Sequence, residues 1–228
     1  MPALNGMKIL ISGGATGIGL AIAKSLTSGG AAVCISGRNA DRLRAAQEEL
    51  ASSGASVDVR AFDVSDRAAA FAAVADLHAA WGRIDGLVNN AGVYKVAPFL
   101  QFEAADFERL FQINVMGCVN LMQAVLPLML AQGAGRIVNI ASTAGKWGSM
   151  NQSAYNMSKH AVVGLTRCVA LETAAKGVTV NAICPGLVET DMMDDLLATQ
   201  SRLTGAATDA VRASWEARIP LGRVIRPD

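Results

Sequence analysis

Hydrophobic and polar positions along the chain follow two alternating patterns. Short apolar runs rich in β-branched residues, typical of buried parallel strands, are separated by longer stretches with helical spacing. The predicted strands are Lys8–Ser12, Ala32–Ser36, Val57–Ala61, Gly86–Asn89, Arg136–Ala141 and Val178–Ile183. The predicted helices are Gly17–Ser28, Asp41–Ser52, Arg67–Trp81, Ala104–Ala131 and Ser153–Lys176. This alternation predicts an α/β fold with a doubly wound, Rossmann-type parallel sheet in a single domain, residues 1–228.

The segment after Pro185-Gly186 departs from the alternation. Residues 187–223 show no strand pattern, and helical spacing returns only near Asp191–Thr199 and Asp209–Arg218. Long insertions after the carboxyl end of a strand often cover the substrate in α/β enzymes, so we expect a substrate lid at about 187–223. The last residues, Arg226-Pro227-Asp228, are typical of the start of another helix.

Charge and composition narrow the class of protein. The 228 residues are 52% hydrophobic, and 20 basic and 19 acidic residues give a net charge of +1. A balanced charge without basic runs argues against a nucleic-acid partner or an anionic membrane surface. The most apolar window, Met116–Ala131, contains Asn120, Gln123 and Pro127 and falls short of a ~20-residue membrane span. We therefore expect a cytoplasmic protein.

The cysteines and histidines show no metal-binding pattern. None of the four cysteines (Cys34, Cys118, Cys168, Cys184) stands in a CxxC motif, and the histidines are His78 and His160. This spacing argues against a zinc site or a disulfide framework. We expect buried free thiols and no metal.

A glycine-rich turn joins the first predicted strand to the first helix. It reads Ser12-Gly13-Gly14-Ala15-Thr16-Gly17-Ile18-Gly19. Gly13 permits a tight turn, Gly17 lets the backbone approach a pyrophosphate, and Gly19 lets the helix pack closely. Free N–H groups at the start of the helix attract phosphate oxygens. The turn predicts a nucleotide site; a purely structural turn is the alternative.

Residues after the second and third strands indicate which nucleotide binds. An acid at the end of the second strand would bind the ribose 2′-hydroxyl of NAD, but Gly37 and Arg38 stand there. A guanidinium group suits a 2′-phosphate, so we predict NADP(H) as the preferred cofactor, with NAD(H) possible. A solvated arginine is the alternative. Asp63 and Val64 suit a contact with the adenine edge, unless Asp63 only caps the next turn.

A tyrosine and a lysine form the first catalytic candidates. Tyr155 and Lys159 are four residues apart in a predicted helix and therefore share one face. A phenol has a reference pKa of about 10, and we expect the neighbouring ammonium group to lower the pKa of Tyr155. Such a pair can exchange a proton near neutral pH. Ser142 follows the fifth predicted strand and completes the group; a surface helical pair is the alternative.

Together these motifs resemble the short-chain dehydrogenase/reductase family. Besides the glycine turn, Ser142 and Tyr155-x-x-x-Lys159, the resemblance rests on Asn89-Asn90-Ala91-Gly92, Asn114, and Pro185-Gly186 with Thr190. The motifs keep the family's order and spacing over nearly the whole chain. Within the family, the chain is most similar to ketoreductases of 3-oxoacyl thioesters and related ketones or secondary alcohols.

The resemblance implies a role for each catalytic candidate. Tyr155 would donate a proton to the carbonyl oxygen while the nicotinamide delivers hydride to the carbon. Ser142 would hydrogen-bond that oxygen, a contact that strengthens in the transition state. Lys159 would hold the nicotinamide ribose, and Asn114 would anchor a proton-relaying water. A polar residue satisfied inside the core is the alternative for Asn114.

The resemblance also implies cofactor and substrate contacts. The cofactor would contact Ser12, Gly13, Ala15, Thr16, Gly17, Ile18, Gly19, Arg38, Asp63, Val64, Asn90, Ala91, Gly92, Tyr155, Lys159, Pro185, Gly186, Val188 and Thr190. The substrate would contact Ser142, Tyr155, Tyr94, Trp147, Gln152 and Met192, and further pocket candidates are Val93, Lys146, Met150, Met193 and Trp215. The aromatic and methionine side chains suit a ketone or acyl chain better than a free sugar.

Two expectations concern assembly. Members of the family pair two helices across a dimer, so the stripe Ala154, Met157, Ala161, Leu165 and Cys168 is expected to be core or subunit interface. The family continues past Pro227-Asp228 with a helix and a last strand. We therefore expect a sheet that lacks this strand and ends at Val178–Ile183, and a homodimer or homotetramer if the C-terminus is complete.

These observations predict the NADPH-dependent, reversible reduction of a ketone, such as a 3-oxoacyl thioester, to a secondary alcohol. One alternative is an NAD-dependent dehydrogenase of a polyol or a cyclic alcohol. Another, from a different class, is a cofactor-sensing binding protein without turnover.

Overall fold

The computed structural model describes residues 4–52 and 54–228. Its strands are β1 (Lys8–Ser12), β2 (Ala32–Gly37), β3 (Val57–Ala61), β4 (Gly86–Asn89), β5 (Gly135–Ile140) and β6 (Val178–Ile183). Its α-helices are α1 (Gly17–Ser28), α2 (Ala40–Ala51), α3 (Arg67–Trp81), α4 (Ala104–Phe111), α5 (Gly117–Gln132), α6 (Ser153–Thr173), α7 (Asp191–Thr204) and α8 (Thr208–Glu216). Strands and helices alternate up to β6, as the sequence pattern predicts.

The six strands form one parallel sheet in the order β3-β2-β1-β4-β5-β6. The chain winds outward from β1 in one direction and, after crossing over to β4, in the other. The doubly wound, single-domain α/β fold is therefore confirmed. Where the winding reverses, between β1 and β4, the loops leave the sheet in opposite directions and open a crevice at the carboxyl ends of the strands.

Alternation of side chains along β1 divides the core between the two faces of the sheet. Leu10 belongs to a cluster with Leu87, Leu121 and Ile137, whereas Ile11 packs into a second cluster on the other face. Successive side chains of a strand point to opposite faces, so an apolar run of this length is buried on both sides. The helices that cover the two faces hold the carboxyl ends of β1 and β4 in fixed positions.

The single helix predicted over Ala104–Ala131 is interrupted. α4 and α5 are joined by a π-helical turn, Gln112–Met116, which contains the buried side chain of Asn114. A π turn widens the helix locally, and such turns are often found at functional sites. Hydrophobic spacing does not reveal the turn, because apolar residues continue through it.

The same region corrects a prediction about length. Among the described residues, one helical stretch, Ala104–Gln132, is long and apolar enough to cross a membrane, with a mean hydropathy of 1.7 over its most apolar window. The sequence-based view that it is too short is wrong. However, 56% of that window is buried inside the protein, where α5 packs on α3, β4 and β5. The stretch is a core helix of this fold.

Residues after β6 form a small unit with its own core. Met193, Leu197, Val211 and Val224 are buried together, with Trp215 and other apolar side chains packed around them. Helix α7 extends beyond the predicted helix Asp191–Thr199. Helix α8 begins before Asp209, the predicted start of the second helix. Residues 226–228, where the sequence predicts the start of a further helix, have no regular secondary structure, and three residues are too few to close a helical turn.

Substitution of two leucines by alanine tests how much the core of the sheet contributes to the free energy of unfolding. Leu87 is fully buried in β4, whereas Leu100 is 94% exposed. We expect Leu87→Ala to lower the free energy of unfolding by about 2–5 kcal/mol, since it removes buried methyl groups and leaves a cavity. Leu100→Ala makes the same chemical change at the surface and should stay within about 0.5 kcal/mol of the parent. Urea unfolding measures both values, and equal losses would contradict the assigned core.

Candidate active site

The crevice between β1 and β4 continues into a cavity of about 1050 Å³ at the carboxyl ends of the strands. It is lined by the glycine-rich turn, the loops after β4, β5 and β6, one face of α6, and the segment that follows residue 187. Of the residues predicted for cofactor, substrate or catalysis, the following line it: Gly13, Thr16, Gly17, Ile18, Asn90, Ala91, Gly92, Tyr94, Ser142, Trp147, Gln152, Tyr155, Lys159, Pro185, Gly186, Val188, Thr190 and Met192.

The glycine-rich turn is built as its spacing predicts. Gly13 adopts a left-handed backbone with a φ of +64°, and its N–H donates to the Ser36 carbonyl at 2.7 Å. At Gly19, a Cβ atom would lie 2.1 Å from the Gly13 carbonyl oxygen, so only glycine lets α1 begin this close to the turn. The first N–H groups of α1 lie at the edge of the cavity, which is the arrangement that binds phosphate oxygens.

Hydrogen bonds fasten the turn after β1 to the loop after β4. The Ser12 hydroxyl accepts from the backbone N–H groups of Asn90 at 3.0 Å and Ala91 at 3.1 Å. In return, the Asn90 amide donates to the carbonyl of Gly13 at 2.9 Å and to that of Ser12 at 3.2 Å. Ser12 is buried and outside the cavity lining. It therefore positions the backbone of the site from beneath.

The catalytic candidates Ser142, Tyr155 and Lys159 come from two neighbouring elements. Ser142 follows β5, and its hydroxyl oxygen accepts from the Ala144 N–H at 3.1 Å. Tyr155 and Lys159 lie on successive turns of α6, with the Lys159 Nζ 5.7 Å from the centre of the Tyr155 ring. The Lys159 side chain is buried, and its ammonium donates to the Ile140 carbonyl at 2.8 Å. A buried cation thus stands beside a phenol and a hydroxyl in one cavity.

Asn114 lies behind this group, outside the cavity lining. Its side-chain oxygen accepts from the Val93 N–H at 2.8 Å, and its amide donates to the Val93 carbonyl at 2.8 Å and to the Ser158 hydroxyl at 3.0 Å. Ser158 in turn donates to the Tyr155 carbonyl at 2.8 Å. The π-helical turn, the loop after β4 and helix α6 are therefore connected through one buried amide.

Arg38 follows β2, Asp63 and Val64 follow β3, and none of the three lines the cavity. Arg38 is exposed, and its Nη1 is 3.8 Å from an Asp63 carboxylate oxygen. Burial alone would raise the pKa of the Asp63 carboxyl, but hydrogen bonds from Ser65 and the charge of Arg38 lower it overall. The Val64 side chain is buried in the core.

A large part of the cavity lining is apolar. Besides Tyr94, Trp147 and Met192, the apolar lining includes Met150, Met193, Leu196, Val211 and Trp215. Burial, with a smaller contribution from the charge of Asp195, raises the pKa of Tyr94 to about 12, so its hydroxyl stays protonated. Val93 and Lys146, predicted as pocket residues, are not part of the lining.

Several lining residues were missed by sequence reasoning. They include Asp191, Gln200, Ser214 and Arg218, all from the segment that carries α7 and α8. Amphipathic spacing in that segment indicated helices, but no motif indicated which face would turn toward the crevice. Two predicted cofactor contacts lie outside the lining: Ala15 is in the glycine-rich turn, and Gly19 is in α1.

The cysteines follow the prediction only in part. Burial raises the pKa of the Cys34 thiol to about 12 and that of Cys118 to about 11, so both remain protonated and unreactive. Cys168, in contrast, is exposed on α6, so the expectation of burial is wrong there. Across the described ranges, no group of three or more His, Cys, Asp or Glu residues is placed to hold a metal ion.

Comparisons with known proteins agree with this geometry. Residues 7–201 match the family model described as short chain dehydrogenase. The chain is 38% identical over 216 residues to 2-dehydro-3-deoxy-L-rhamnonate dehydrogenase (NAD(+)) of Sphingomonas sp., covering 94% of this chain and 81% of that protein. It is 36% identical over 226 residues to sorbitol dehydrogenase of Cereibacter sphaeroides, covering 99% and 87%.

A solved structure extends the agreement to three dimensions. A variant of actinorhodin polyketide ketoreductase with NADPH superposes with a TM-score of 0.94 at 36% identity, covering 100% of this chain and 88% of that one. The fold, the glycine-rich turn and the family model thus all indicate the same family. The chain belongs to the short-chain dehydrogenase family and is an NAD(P)-dependent oxidoreductase.

Proposed function

We propose that the protein reduces a ketone, such as a 3-oxoacyl thioester, to a secondary alcohol with NADPH, and catalyses the reverse oxidation as well. The observation that carries this proposal is that Ser142, Tyr155 and Lys159 line the same cavity as the glycine-rich turn. A proton donor, a hydroxyl and a buried cation therefore adjoin a turn suited to a nucleotide.

The residues present fit a nicotinamide dinucleotide. The left-handed backbone at Gly13 and Gly17 leaves the start of α1 without side chains that would block a pyrophosphate. Gly186 has no atoms near the position of a Cβ, so the backbone after β6 is open toward the cavity. Pro185, Gly186, Val188 and Thr190 would hold the nicotinamide end, with Asn90, Ala91 and Gly92 along the adenosine side. When bound, the nicotinamide supplies hydride to the carbonyl carbon.

Arg38 supports a preference for NADP(H). The side chain is exposed, and its separation of 3.8 Å from Asp63 is long for a hydrogen bond, which leaves most of its donors available. Gly37 precedes it without an acid that would bind a free 2′-hydroxyl. The solved ketoreductase was determined with NADPH, whereas the Sphingomonas relative carries NAD(+) in its name. We infer that NADP(H) is preferred and that NAD(H) is also accepted.

Ser142 and Tyr155 would act on the carbonyl oxygen. The Ser142 oxygen accepts a hydrogen bond from the Ala144 N–H, which orients the hydroxyl and leaves its own hydrogen to donate to the substrate. Negative charge grows on the carbonyl oxygen as hydride arrives, and a preorganised donor stabilises it. Tyr155 then gives its hydroxyl proton to that oxygen, so the product is the neutral alcohol.

Lys159 and Asn114 would support the proton transfer. The Lys159 ammonium lies 5.7 Å from the centre of the Tyr155 ring, and it would hold the ribose hydroxyls of the nicotinamide. All three hydrogen bonds of the Asn114 side chain are to protein groups. A relay water would therefore use its remaining lone pair or its backbone carbonyl in the π-helical turn.

The apolar lining supports ketones with alkyl or acyl chains as substrates, and residues 187–223 would be the lid over them. A dehydrogenase acting on a polyol or cyclic alcohol is the second candidate, favoured by the likeness to sorbitol dehydrogenase. A cofactor-binding protein without turnover is a third candidate, and retention of Ser142, Tyr155 and Lys159 argues against it.

We also propose a cytoplasmic homo-oligomer. Met157 is 44% exposed on α6, on the stripe that was predicted as core or subunit interface, and Leu171 near the end of that helix is 84% exposed. We propose that this face of α6 pairs with another subunit, since contiguous exposed apolar patches mark such surfaces.

The role of Tyr155 can be tested by removing one oxygen atom. We expect Tyr155→Phe to lose nearly all turnover, because no other group at that position can donate the proton, while NADPH binding is retained. Rates of NADPH oxidation with a ketone panel and a fluorescence titration with NADPH measure the two properties. As a control, Tyr94→Phe removes a lining hydroxyl that has no assigned role in proton transfer. Normal turnover of Tyr155→Phe would end the proposed mechanism.

The role of Arg38 can be tested by reversing its charge. We expect Arg38→Asp to shift the ratio of NADPH to NADH affinity toward NADH, because a carboxylate repels a 2′-phosphate and binds a free 2′-hydroxyl. Side-by-side fluorescence titrations give the ratio. Arg44→Asp makes the same change of charge on the exposed face of α2 and should leave the ratio as it was. An equal shift in both variants would show a general charge effect and remove Arg38 from its role.

A further inference from the structure

One basic side chain in the cavity lining has no role in the proposed reaction. Its lining has two basic side chains among the described residues, Lys159 and Arg218. Lys159 is buried against the Ile140 carbonyl and belongs to the catalytic group. Arg218 comes from the turn that follows α8, and it is an exposed residue of the cavity lining.

Arg218 differs from every other arginine of its segment. Arg202, Arg212, Arg223 and Arg226 each donate side-chain hydrogen bonds to neighbouring protein groups. Within residues 187–228, all of which the structure describes, only the guanidinium of Arg218 has neither a hydrogen bond nor a carboxylate within 4 Å.

The contrast with Arg212 is the most direct. Arg212 lies six residues earlier, outside the lining, and is bound by Glu189 at 2.8 Å and by Glu216 at 3.0 Å. These two acids neutralise the arginine that faces away from the cavity. The arginine that faces the cavity has no such partner, so its charge is available to a ligand.

The backbone holds Arg218 in place. Its N–H donates to the Trp215 carbonyl at 3.0 Å, and the next residue, Ile219, packs against the core of Met193 and Val211. One acid, Asp191, is found in the described lining, and it is not within ion-pair distance of Arg218. The segment that carries α7 and α8 thus presents an unpaired guanidinium fork to the cavity, and such a fork matches the two oxygens of a carboxylate or a phosphate.

We propose that the substrate carries an anionic group, a carboxylate or a phosphate, and that Arg218 binds it. Arg218 is then a specificity-determining residue that selects charged ketones over neutral ones of the same carbon skeleton. The inference rests on the proposed reduction of a ketone and adds the class of substrate to it.

Two matched pairs of ketones test the proposal and separate the two sources of negative charge. The carboxylate pair is 3-oxobutanoate and its methyl ester. The phosphate pair is the acetoacetyl thioester of 4′-phosphopantetheine and that of pantetheine, which lacks only the phosphate. Values of kcat/KM are measured with NADPH for the parent protein and for R218Q, R218K and R226Q. Arg226 pairs with Asp228 outside the cavity lining, so R226Q controls for loss of one positive charge in this part of the chain.

In one of the two pairs, we expect the parent protein to prefer the anionic member. R218Q should lower kcat/KM for that member by about 10- to 100-fold, the effect of losing one charge-assisted hydrogen bond, mainly through KM. R218K should keep part of the preference, and the neutral members should change less than about twofold. The pair that shows the effect identifies carboxylate or phosphate as the recognised group.

Three results would overturn the inference. R218Q could lower both members of each pair alike, R226Q could reproduce its effect, or the parent could show no preference within either pair. In each of these cases the neutral ketones are still reduced, so the proposed function stands. If the parent reduces none of the four compounds and binds NADPH normally, the ketone reduction itself is wrong and the inference fails with it.

Discussion

The site depends on the fastening of two backbone segments where the winding of the sheet reverses. β1 and β4 are neighbours in the sheet, but the chain leaves them in opposite directions. The Ser12 hydroxyl and the Asn90 amide bridge the two exits with four hydrogen bonds, all to backbone groups. Because these bonds fix backbone rather than side chains, the crevice keeps its shape before any ligand enters. The glycine-rich turn and the wall beside the catalytic candidates are thus parts of one rigid frame.

Much of this frame could be predicted from the sequence. Strand runs such as Lys8–Ser12 have successive apolar residues, Ile9 to Ile11, and such a run is typical of a parallel strand buried on both faces. Gly13 and Gly19 occupy positions where a left-handed backbone or a close helix approach leaves no room for a Cβ, so their spacing predicts this turn. The four-residue interval between Tyr155 and Lys159 likewise determines that they share a face of α6.

Other features depend on contacts between segments distant in the chain, and spacing carries no information about them. The π-helical turn at Asn114 is one example, since the same apolar residues suit a continuous helix. Arg218 is another: five arginines lie between residues 187 and 228, and the sequence does not tell which of them faces the cavity. That distinction follows from how α7 and α8 pack around Met193 and Val211, and from the acids that Arg212 meets in the folded protein.

The two ends of the proposed lid are joined to each other, and this has a consequence for how the sequence of the lid can diverge. Val188 and Ile225 form a parallel bridge, with the Glu189 N–H donating to the Ile225 carbonyl at 2.9 Å and the Ile225 N–H donating to the Leu187 carbonyl at 3.1 Å. The two ends of the segment therefore meet, and the residues between them fold around a core of their own. Such an insertion behaves as a cassette. Its sequence and length can change while the strands, the glycine-rich turn and helix α6 keep their places, so the lining of the cavity can vary on an unchanged framework.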